Sequence, residues 1–89
     1  MITIEEACEI ALREFKYMWG ENWGIGHTYS FKDLWIISPC DKDNPKETFY
    51  DPGPIAINKN SGEIIPYEVH EHLEEFRKAK KIRIPKKYR

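Results

Sequence analysis

Cysteine is scarce in this chain: Cys8 and Cys40 are the only two. The N-terminus, Met-Ile-Thr-Ile-Glu-Glu, has no basic segment and no apolar run of signal-peptide length. Both features point to reduced thiols in a cytoplasm rather than to a disulfide framework. No stretch approaches the roughly 20 apolar residues that a membrane-spanning helix needs. No Ser, Cys and His are arranged as a nucleophile with its base. The expectation is a protein without catalysis, cofactor or metal.

Three sequence features could argue for a ligand, and each fails on spacing. His70 and His72 stand two apart, which on a helix turns them to different sides and keeps them from sharing an ion. Asp41-Lys42-Asp43-Asn44 begins like a calcium loop but lacks the later Gly and the closing Glu. Gly24-Ile25-Gly26 is followed by neither a Lys-Ser/Thr pair nor a helix start, so it is no phosphate loop.

What the chain does have is aromatic weight and uneven charge. Three Trp, five Tyr and four Phe in 89 residues indicate a folded chain despite 33% charged residues. The length suits one domain over residues 1–89, with one modest core. Net charge is −1, yet residues 77–89 hold eight basic residues and no acid. The first 76 residues hold the other six basic residues and all 15 acids, a net of −9. An acidic body thus carries a basic tail.

The pattern predicts an α+β fold: an N-terminal helix packed on an antiparallel sheet of about four strands, then a C-terminal helix. Ile4, Ala7, Cys8, Ala11, Leu12, Phe15, Met18 and Trp19 form one apolar stripe at helical spacing. Thr3 and Glu6 stand at capping-box spacing, and Gly20 ends the helix. Residues 21–26 read as a loop. Residues 27–31 and 34–38 read as strands joined at Lys32-Asp33, the second apolar enough to be central. Residues 39–45 read as a polar loop, and Glu47 to Tyr50 as either a strand extension or irregular chain. Ile55 to Asn58 and Glu63 to Ile65 form a hairpin about Asn60-Ser61-Gly62, where Asn and Gly accommodate positive φ. Glu68 to Lys80 is predicted as a helix with Val69, Leu73 and Phe76 on one face. The tail beyond it reads as a short extended or fraying segment.

Candidate partner-binding residues follow from charge and accessibility. Asp41, Asp43, Glu47 and Asp51 lie on segments between the two hairpins, free to meet a partner. Trp23, flanked by glycine, is the candidate aromatic anchor, since binding hot spots favour Trp. The basic tail with Tyr88 offers a competing reading as a nucleic-acid binder, which the acidic body disfavours.

Residues 54–64, Pro-Ile-Ala-Ile-Asn-Lys-Asn-Ser-Gly-Glu-Ile, followed by Leu73-Glu74-Glu75-Phe76, carry a family resemblance. With Trp35 in a mid-chain strand and an opening amphipathic helix, the chain resembles the YrhB-like group of small bacterial proteins. That group overlaps the polymorphic-toxin immunity proteins called immunity protein 35. Asn58 stands where Asp is usual, and the link from Ile65 to the last helix lacks a Gly-and-Pro spacer. The resemblance implies a non-enzymatic cytoplasmic protein whose partner is a cognate toxin protein, and edge strands would allow either a monomer or a homodimer by sheet extension. One branch of the group is described as heat-inducible and chaperone-like.

Overall fold

The computed structural model describes residues 1–43, 53–67 and 71–88. Helix α1 spans Ile4–Trp19. Its start is the expected capping box: the Glu6 N–H donates to Thr3 Oγ1 at 3.2 Å, and the Thr3 N–H donates to Glu6 Oε1 at 3.2 Å. Its end is Gly20, whose φ of 117° favours glycine and whose N–H donates to the Lys16 carbonyl. Ala7, Cys8, Ala11 and Phe15 are fully buried along one face. Met18, expected on that stripe, is 52% exposed. At 3.6 residues per turn it sits about 60° round from Phe15, at the stripe's edge and in the last turn.

Among the described residues, five strands form one antiparallel sheet in the order β4-β3-β2-β1-β5. They are β1 (Trp23–Phe31), β2 (Leu34–Asp41), β3 (Ile55–Asn58), β4 (Ile64–Pro66) and β5 (Lys80–Ile82). The central position expected for residues 34–38 is occupied by β2. Both β1 and β2 are longer than the sequence indicated. Trp23 pairs with Asp41 and Ile25 with Pro39, so segments read as loops are strand. The register shifts between Ile25 and His27, leaving Gly26 as a bulge. A Cβ at Gly26 would lie 2.9 Å from the Pro39 carbonyl oxygen, so this glycine serves close strand approach rather than loop freedom. The fifth strand comes from the tail, which continues into a 3₁₀ turn at Lys86–Tyr88.

Side chains alternate between two faces. Thr28, Ile37 and Ile55 share one row and Trp35 and Ile57 the next, all toward α1. Tyr29, Ile36, Ala56 and Ile65 share a row on the opposite face. There Tyr67, Phe76 and Ala79 complete a second, smaller cluster. Helix α2 (Leu73–Lys78) supplies Phe76 and is shorter than the expected 68–80. Leu73, expected on its apolar face, is 42% exposed. With six residues the helix has fewer than two turns, and a single side chain reaches the sheet. Val69 and His70 lie outside the described residues.

The two turns at one end of the sheet are tied together by Lys59. Its N–H donates to the Asp33 carbonyl at 2.7 Å, and its own carbonyl accepts the Ile2 N–H at 2.7 Å. Lys59 Nζ donates to Ser30 Oγ (2.6 Å) and to the Lys32 carbonyl (2.8 Å), and lies 4.4 Å from the Trp35 ring centroid. In the β3–β4 turn, Asn58 Oδ1 accepts the N–H groups of Asn60 and Ser61. An Asp carboxylate would accept the same bonds. Gly62, not Asn60, takes the positive φ, at 76°. Lys32, at φ 51°, is the one non-glycine with positive φ among the described residues.

Candidate functional site

Three of the five candidate partner-binding residues meet at the open end of the β1–β2 hairpin. The cross-strand pairing of Trp23 with Asp41 brings residues 18 apart in sequence side by side. Beyond them the chain turns at Lys42 and Asp43. The Lys42 N–H donates to the Asn22 carbonyl at 2.9 Å. Asp41 Oδ1 accepts the Asp43 N–H at 3.0 Å, and Asp43 Oδ2 accepts from Asn22 Nδ2 at 2.8 Å. Both carboxylates are therefore held by hydrogen bonds that leave lone pairs for a partner. Asp43 is exposed and Asp41 half-buried. Glu47 and Asp51 lie outside the described residues.

Trp23 is not a freely projecting anchor. It is half-buried, with its ring centroid 5.5 Å from that of Trp19, which stacks on Phe15 at 5.6 Å. Trp23 thus forms the outer rung of an aromatic ladder descending into the core. Among the described residues the exposed aromatic is Tyr17, 87% exposed in the last turn of α1, beside Met18. The sequence held a signal for it: Tyr17 falls opposite the apolar stripe, where an aromatic side chain has no core to join. Glu21 extends the acidic character, although its carboxylate also approaches Lys16 at 3.8 Å.

Elsewhere the chemistry is sparse. Among the described residues no group of His, Cys, Asp or Glu could hold a metal ion. Cys8 and Cys40 are free thiols. Burial, with a smaller push from the charge of Glu5, raises the Cys8 thiol to about 11, far from a reactive thiolate. His72 contacts Glu75 at 3.3 Å and stacks on Tyr67, with ring centroids 5.0 Å apart. His27 is in β1, with its ring centroid 6.3 Å from that of Tyr29. Its pKa is lowered first by burial and then by the charge of Lys81. No helix among the described residues is long and apolar enough to cross a membrane. No family model, curated protein or solved structure matches the chain.

Proposed function

We propose that this protein is a non-enzymatic, cytoplasmic immunity protein that binds and neutralises a cognate bacterial toxin. The open end of the β1–β2 hairpin is the contact surface in this reading. Asp41 and Asp43 select a basic partner, Tyr17 supplies an exposed aromatic contact from the last turn of α1, and Trp23 keeps the hairpin end rigid by packing on Trp19. The observation that carries the reading is the convergence of Asp41, Asp43 and Trp23 at one end of the sheet, next to the last turn of α1. An acidic face of this kind raises association rates with cationic surfaces and rejects acidic ones. Many toxins that cleave nucleic acids are cationic, which makes them suited to such a face.

Two other readings have less support. A chaperone-like role needs a contiguous exposed apolar surface. Met1, Tyr17, Met18 and Leu73, the exposed large apolar residues among those described, are divided among the two ends of α1 and the start of α2. A nucleic-acid binder would use Tyr88 for stacking on bases. Tyr88 instead is half-buried and packs on the core beside α1. Co-expression with a toxin encoded by the neighbouring gene tests the proposal. Restored growth with the intact protein, lost with Asp41→Lys/Asp43→Lys, is the expected result. Growth arrest despite soluble intact protein would contradict it.

A further inference from the structure

The edge formed by β5 belongs to none of the contacts proposed above, and it differs from the rest of the surface in both charge and backbone. Among the described residues β5 is the last strand on its side of the sheet, and no described strand pairs with its outer edge. Strand β5 pairs with β1 only from Thr28 to Ser30. Where the two diverge, a cleft of about 350 Å³ opens, lined by His27, Thr28, Lys81, Ile82, Arg83 and Ile84. Two isoleucines and two permanent cations are among its lining residues, and no acid among the described residues lines it. Arg77, Lys78, Lys80, Lys81, Arg83 and Lys86 are all exposed, and none forms an ion pair among the described residues.

Lysines on an edge strand repel neutral or basic strands that would otherwise add to it. They do not repel an acidic one. We propose that the outer edge of β5 and its cleft form a docking site for an extended acidic segment of a partner protein, which adds to the sheet as a sixth strand. Main-chain hydrogen bonds along β5 hold the segment, Lys81 and Arg83 pair with its carboxylates, and the cleft accepts an apolar side chain between them. A polynucleotide explains the charge but uses neither the strand edge nor the apolar lining of the cleft. Tyr88, the aromatic within the tail, is half-buried against the core. This site is separate from the acidic end of the β1–β2 hairpin and does not depend on the immunity reading.

The test uses the whole chain and three probes: a capped peptide of about ten residues alternating Glu and Val, its Lys and Val counterpart, and an oligothymidylate of similar length. Binding is followed by NMR together with amide hydrogen exchange. The proposal expects the Glu peptide alone to slow exchange of the outward amides within Lys80–Ile82 and to shift the His27 resonances. Lys81→Gln/Arg83→Gln, both at exposed positions, should weaken that binding about tenfold without changing the melting temperature. No binding of the Glu peptide overturns the proposal. So does binding that leaves exchange at Lys80–Ile82 unchanged, or preferential binding of the oligothymidylate.

Discussion

The two faces of the sheet are built on different scales. On one, a 16-residue helix lies across β1, β2 and β3, and Phe15, Cys8, Ile37 and Ile57 are fully buried. On the other, a six-residue helix with no buried residue touches the sheet mainly through Phe76. Phe76 meets Tyr29 edge-on, with ring centroids 4.9 Å apart. The difference locates stability: the α1 face carries the cooperative core, and the α2 face is a thin cover that can loosen before the fold is lost.

The sharpest way to break this comparison is to truncate one aromatic on each face. Phe15→Ala should cost about 3–5 kcal/mol, enough to unfold a small domain. Phe76→Ala, from a half-buried site, should cost about half as much. Denaturant titration of both variants checks the ranking, and equal losses would mean that the two faces share one core.

A medium effect is expected where the turns are tied. Lys59→Met removes two side-chain hydrogen bonds and the cation–π contact with Trp35, at a cost of about 1–2 kcal/mol. Gly62→Val forces a β-branched residue to a φ of 76° and should cost about 1 kcal/mol or more. Thermal melts of either variant with no loss of stability would remove these turns from the account.

A smaller effect probes the thin face directly. The Tyr67 hydroxyl is buried, and no hydrogen-bond partner is found for it among the described residues. Tyr67→Phe should therefore be neutral or stabilising by up to about 1 kcal/mol. A clear loss in a melting experiment would reveal a partner for that hydroxyl.

The smallest expected effect is on pH dependence. The His27 pKa is lowered in the folded state, so below its ordinary value of 6.5 the unfolded chain binds the greater share of protons. Above that pH the group is neutral in both states and contributes nothing. Stability should decline slightly as pH falls through 6.5 toward the folded value. His27→Gln should flatten this slope in melts across that window, and an unchanged slope would assign it to other groups.

The helix, the hairpins and the central strand were legible because each rests on local chemistry. Thr3 with Glu6, Gly20, Lys32-Asp33 and Ser61-Gly62 all mark structure within a few residues. Strand ends were misread where glycine and proline serve long-range approach. Gly26 is a bulge against Pro39, and Pro39 lies within β2, which no local rule indicates. The fifth strand was hidden because Lys80-Lys81-Ile82 gains its extended form from pairing with Thr28 to Ser30. At the candidate site, the acids were legible from charge alone. The half-buried position of Trp23 was not, because it depends on Trp23 meeting Trp19 across the end of the core.

The claim that Asp41 and Asp43 steer a basic partner can be separated from their local hydrogen bonds. Asp41→Asn/Asp43→Asn removes both charges while each amide oxygen still accepts from its present donor. Stopped-flow association of this variant with the cognate toxin, at low and high salt, is the direct measurement. The account predicts a severalfold slower on-rate at low ionic strength, with the difference shrinking once the Debye length falls to about 3 Å near 1 M salt. An on-rate equal to that of the parent protein at low salt would contradict it.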